Sequence, residues 1–107
     1  MDEIIEIEYY ETDSGTSPYL EWEAELSRDL RSQVHKRLNR VRLGNLGDIN
    51  SIDGESSLYE FRLHVGPGYR IYFGRQGKKI VVLLCAGDKG SQKRDILRAK
   101  KYWRDCF

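Results

Sequence analysis

Cysteine, proline and histidine are scarce in this chain: two of each in 107 residues, with a single methionine. Two cysteines cannot supply the disulfide framework that replaces a core in small secreted domains. Cys85 lies in the most apolar stretch and is expected to be a small core hydrophobe, while Cys106 is one residue from the C-terminus. No disulfide between them is expected in a reducing compartment, and no Cys/His pair has zinc-ligand spacing, so no metal is expected. Long apolar runs are also lacking. The longest, Ile80 to Ala86, falls far short of the roughly 20 residues of a membrane span. The start, residues 1–10, is acidic and has no basic region of the kind that opens a secretory signal. A cytoplasmic location with no membrane partner is the expectation.

What the chain does have is charge, at 33% of residues, beside 39% hydrophobic residues, a balance that suits one soluble globular domain over residues 1–107. The charge is split. Residues 1–57 hold thirteen Asp/Glu against six Lys/Arg, and residues 58–107 hold four against twelve, so a net of −7 precedes a net of +8. The basic half is also the strand-rich half. Arginines alternating along strands beside Tyr and His suit a polyanion such as RNA.

The element pattern reads as β-α-α-β-β-β-α. Ile4–Tyr10 alternates, with β-branched Ile5 and Ile7, and predicts an opening strand. Residues 12–15 form a turn, and Ser17-Pro18 supplies an N-cap with proline at the first helical position. Tyr19, Trp22, Leu26 and Leu30 make one apolar stripe, and Leu30, Val34, Leu38 and Val41 a second, which predicts a helical hairpin broken near Arg28-Asp29, with one bent helix as the alternative. Residues 44–57 read as a loop. Strands are predicted over Leu58–Val65, Tyr69–Arg75 and Lys79–Cys85, joined by short antiparallel turns. After a loop over Gly87–Gly90, a helix from Ser91 to about Asp105 turns Ile96, Ala99 and Trp103 inward. The class is α+β, with the helices packed on one sheet face.

Strand parity then defines a candidate surface. Phe61, Leu63 and Val65 point one way, and Glu60, Arg62 and His64 the other; on the next strand Arg70 and Tyr72 share a face. One surface would thus carry two guanidiniums for phosphate, an aromatic for base stacking, and a carboxylate and an imidazole able to move a proton. Lys89 and Lys93 lie at the loop-to-helix junction beside it, where the helix N-terminus near Ser91 adds an anion site. The blander alternative is a solvated outer sheet face with cross-strand ion pairs. His35 reads as solvated, as does the run Lys93, Arg94, Arg98, Lys100, Lys101 and Arg104 on the last helix.

Several motifs then fall in one order and at matching separations. They are Leu58-Tyr59-Glu60-Phe61-Arg62, Gly66-Pro67-Gly68-Tyr69-Arg70-Ile71-Tyr72-Phe73, Ile80–Leu84, Gly87-Asp88-Lys89, and Gln92-Lys93-Arg94-Asp95-Ile96 with Ala99-Lys100. Together they resemble toxins of type II toxin–antitoxin modules in the RelE/ParE superfamily, in its phage Gp49-like, HigB-type branch of addiction module killer proteins. The resemblance is dense from Leu58 to Trp103, and over the N-terminal third it holds in element order.

The resemblance implies a RelE-like fold, an antiparallel sheet flanked by an N-terminal helical pair and a C-terminal helix. It implies a cognate antitoxin, helix-turn-helix and HigA-like, as well as the ribosome and mRNA as partners. The implied activity is a metal-independent, cofactor-free endoribonuclease that cuts translated mRNA by attack of a ribose 2′-OH on the adjacent phosphate. By position, Arg70 matches the phosphate-binding arginine, Arg62 a basic residue on the preceding strand, and Lys89 a basic position near the leaving group. Glu60 or His64 is the candidate proton acceptor; Glu60 stands where some relatives have lysine. Tyr72, Lys93 and Arg94 are candidate RNA contacts. The alternatives are a ParE-like gyrase inhibitor without nuclease activity and an inactive phage-derived binding relative.

Overall fold

The computed structural model describes residues 4–106; residues 1–3, part of the acidic start, and residue 107 lie outside the described residues. A five-stranded sheet runs β1 (Glu6–Tyr9), β5 (Ile80–Asp88), β4 (Tyr69–Gln76), β3 (Leu58–Leu63), β2 (Ile49–Ser51) in spatial order. Strands β3, β4 and β5 form the antiparallel meander expected of their short turns. The sheet is not wholly antiparallel: β1 pairs with β5 in parallel, Glu6 against Ile80 through Tyr9 against Leu83. The path from β1 passes through the helical pair before the meander, so β1 can dock beside the last strand without a tight turn. The segment that reads as a loop holds β2, a three-residue edge strand with Asn50 opposite Glu60.

The helical pair is α1 (Pro18–Ala24) and α2 (Arg28–Arg42). Ser17 caps α1 by accepting from the Leu20 amide, with Pro18 at the first position, and Ser27 caps α2 by accepting from the Leu30 amide. The break falls at this second cap, one to two residues before the expected place. Tyr19, Val34, Leu38 and Val41 from the pair pack on Phe61, Ile71, Phe73, Val81 and Leu83, all buried. The Phe61 and Phe73 rings stack at 4.0 Å.

The closing helix α3 (Gln92–Asp105) follows a single 3-10 turn at Lys89–Ser91. It covers the other sheet face. Ala99 and Trp103 bury Leu58, Tyr72, Val82, Leu84 and Cys85, with Ile96 half-buried at the edge. The helices therefore lie on both faces, not on one. Strand parity assigns Tyr72 to an open surface, whereas α3 needs an apolar floor and takes it there. A bulge in β5 helps. Tyr72 pairs with Cys85 and Phe73 with Leu83, which leaves Leu84 as the extra residue, and both Leu84 and Cys85 join this second core. Cys85 is a free, buried thiol pushed up to about 12 by burial, and it behaves as the small hydrophobe its sequence context suggests. Among the described residues, no helix is long and apolar enough to cross a membrane.

Candidate functional site

The second core covers only part of its sheet face. Beyond Tyr72, towards the turn at residues 64–68, side chains change from apolar to charged. Arg62 and Arg70 are direct cross-strand partners on β3 and β4. Glu60, two residues before Arg62, is 3% exposed and lies between them. Its Oε1 accepts from Arg62 Nε at 3.3 Å, and its Oε2 is 3.5 Å from Arg70 Nε. Both arginines thus present Nε to one buried carboxylate. The Arg70 contact is an ion pair and not a hydrogen bond, and apart from the Arg62–Glu60 bond no hydrogen bond engages either guanidinium among the described residues, so the terminal nitrogens remain available for a planar, bidentate anion. A carboxylate sealed between two arginines is an orienting group: without it the two like charges would repel across the strand pair.

A cleft of about 390 Å³ opens above this pair, bounded by Arg62, His64, the turn Gly66-Pro67-Gly68, Tyr69, Arg70 and Lys89. Lys89 reaches it because its own amide donates to the Gly68 carbonyl at 3.1 Å, which ties the start of the 3-10 turn to the β3–β4 turn. Asp88 steadies the same place by accepting from the Ser91 amide at 3.1 Å. His64 is exposed at the rim, its Nε2 2.8 Å from Asp48 Oδ2. The structure therefore brings Arg62, Arg70, Lys89 and His64 together, with Glu60 behind the arginines.

Other expected contacts separate from this set. Tyr72 is 0% exposed beneath α3, so its ring is no platform for a base. Its phenol pKa is raised by burial first, and then by Glu60 and Asp95. Glu60, one of the two candidate proton acceptors, is sealed from the cleft by the arginines it holds. Lys93 and Arg94 are exposed and border, with Lys89, a neighbouring hollow of about 440 Å³. The N-terminus of α3 is supplied with carboxylates by the chain itself, since Ser91 Oγ donates to buried Asp95, which also pairs with Arg98 at 3.2 Å. Sequence reasoning missed Asp48, because it precedes a strand too short to leave an alternating pattern and lies 16 residues from its partner His64.

The comparisons agree with this architecture. The free-state structure of the E. coli toxin RelE, solved as a double arginine-to-alanine mutant, superposes with a TM-score of 0.63 at 19% identity, covering 94% of this chain and 97% of that one. The likeness recurs in the intact E. coli RelBE toxin–antitoxin complex, with a TM-score of 0.56 at 20% identity over 79% of this chain and 95% of that one. The fold is thus that of the RelE-like toxins. No family model matches the chain. An uncharacterised protein of Haemophilus influenzae is 40% identical over 70 residues, 65% of this chain and 69% of that protein, and the chain belongs to the same family as that protein.

Proposed function

We propose that the chain is the toxin of a toxin–antitoxin pair and acts as an endoribonuclease on translated mRNA. The observation that carries the reading is the cleft in which Arg62, Arg70, Lys89 and His64 converge on a space large enough for a phosphodiester. The likeness to a toxin seen both free and in complex with its antitoxin supports the pairing with an antitoxin. The whole chain, residues 1–107, forms the single toxin domain in this reading.

His64 accepts the proton of a ribose 2′-OH. The O2′–P bond forms as the P–O5′ bond breaks, which leaves a 2′,3′-cyclic phosphate and a 5′ alcohol that takes its proton from water. Arg62 and Arg70 hold the non-bridging oxygens, where negative charge grows in the transition state, and Lys89 steadies the departing oxygen. Lys93 and Arg94 contact flanking phosphates, a sequence-independent and salt-sensitive contribution. Glu60 sets the geometry of the two arginines and transfers no proton. Accordingly Glu60→Gln keeps cleavage within roughly tenfold, whereas His64→Gln loses about 10²-fold, the scale of general acid–base catalysis.

The test is induced expression in bacterial cells, with primer extension on a translated mRNA and a DNA-supercoiling assay in parallel. Growth arrest with discrete cuts that vanish when translation is blocked is the expected result. Uncut mRNA with altered supercoiling would replace this reading with gyrase inhibition, and normal growth with neither effect would make the chain a binding relative.

A further inference from the structure

The segment that reads as a loop contains a peptide near the cleft that is held from two elements. Arg37 extends from α2 and is 9% exposed; its guanidinium lies over the Phe61 ring at 5.1 Å. Its Nη2 donates to the Asp48 carbonyl at 3.0 Å. The backbone amide of Arg62 reaches the same carbonyl at 3.3 Å. Gly47, just before, has φ +65°, and a Cβ there would fall 2.1 Å from Arg37 Nη1. Glycine is therefore required both by the left-handed backbone and by the guanidinium that occupies the space a side chain would need. The Asp48 backbone is held from two elements at once, and its carboxylate meets His64 at 2.8 Å.

We propose that Asp48 is a positioning residue for His64, and that the buried Arg37 anchors it. The inference rests on the proton-accepting role proposed above for His64. A carboxylate can only accept, so the imidazole nitrogen facing it, Nε2, carries a hydrogen in the neutral ring, and the lone pair is left on Nδ1. Nδ1 is then the atom that takes the 2′-OH proton. The imidazolium formed in that step is met by Asp48 on its other side, with Arg62, Arg70 and Lys89 as the remaining charges around the cleft. An unanchored surface ion pair would contribute little. Here the main chain that carries the acceptor is fixed by Arg37, which lies over the Phe61 ring of the first core, and by the Arg62 amide, so the carboxylate starts from a fixed backbone.

The pair leaves a trace outside activity. The Asp48 carboxyl is held below the usual carboxylate range, first by its hydrogen bond with His64 and then by the charges of His64, Arg62 and Arg37, against an opposing effect of burial. Carboxyl NMR titration should find it low in the wild type and nearer the ordinary range in His64→Gln. An unchanged Asp48 titration would show that the pair does not form in solution and would overturn the proposal.

The decisive experiment measures cleavage of ribosome-bound mRNA by wild type, His64→Gln, Asp48→Asn, the double variant and Gly47→Ala. Asp48→Asn keeps the shape of the side chain; it should lower kcat about tenfold with KM unchanged, a part of the proton-transfer contribution. The double variant should be no slower than His64→Gln, because the two residues act as one unit. Gly47→Ala displaces Arg37 without touching the cleft and should match Asp48→Asn, and Asp48→Glu should recover part of the rate. Asp48→Asn should also change the shape of the pH–rate profile. Wild-type rates for Asp48→Asn, or losses that add in the double variant, would overturn the role of Asp48. Full activity in His64→Gln would instead remove the His64 role, and with it this inference. A wild type that cuts nothing would remove the nuclease reading itself, and this inference with it.

Discussion

The two faces of one sheet solve different problems. The face under α1 and α2 carries the larger apolar core, with Phe61, Ile71, Phe73, Val81 and Leu83 closed off by Tyr19, Val34, Leu38 and Val41. The face under α3 is apolar for only part of its length. Leu58, Tyr72, Val82, Leu84 and Cys85 lie beneath Ala99 and Trp103, and then the same face carries Glu60, Arg62 and Arg70. The two faces share every backbone hydrogen bond, so what separates them is only which side chains each strand alternates outward. The first face holds the larger set of buried residues. The second is divided between a smaller core and a cationic cleft, and the site lies where that core runs out. A rigid sheet thus holds two like charges close together because the opposite face fixes the strands that carry them.

That contrast can be broken at four places. The largest expected effect is on the first face: Phe61→Ala removes a fully buried ring stacked on Phe73 and should cost about 3–5 kcal/mol in chemical denaturation. Arg70→Ala should leave a folded protein whose cleavage of translated mRNA falls about 10²–10³-fold, the effect of removing one preorganised charge donor from a transition state. It also leaves Glu60 with Arg62 as its sole partner, so a stability loss of about 1–3 kcal/mol accompanies it. Third, Gly74→Ala places a Cβ 2.3 Å from the Trp103 ring, which should displace α3 and cost about 1–3 kcal/mol in the same denaturation assay. The smallest effect sharpens the contrast. Tyr72→Phe removes a buried hydroxyl with no hydrogen-bond partner among the described residues, so stability should hold or rise by up to about 1 kcal/mol and cleavage should be unchanged. A clear loss of cleavage in Tyr72→Phe would return that residue to the site.

Much of this is legible in the sequence, and the limits have physical reasons. Alternation within the three strands of the meander and the Ser17-Pro18 helix start are readable because side-chain period and capping are local signals. The same parity groups Arg62 and His64 on one strand and Arg70 on the next. Parity cannot say which face a distant helix will cover, so Tyr72 and Glu60 read as exposed although α3 and the two arginines close over them. The parallel docking of β1 on β5 depends on packing between segments that are far apart in sequence, Glu6 against Ile80. Asp48 is beyond reach for a similar reason. It is placed by Arg37 from a helix and joined to His64 at the end of a strand, and no periodic pattern links the three.

In this account the position of a charge matters more than net charge, and one primer-extension experiment separates the two. Arg70→Ala and Lys89→Ala each remove one positive charge from the cleft, while Lys78→Ala and Lys101→Ala remove one from the β4–β5 turn and from an exposed position on α3. At matched expression, the two cleft variants should lose the translation-dependent cuts and the two control variants should keep them. Equal loss in all four, or cuts that persist in Arg70→Ala, would contradict a site at the end of the second face.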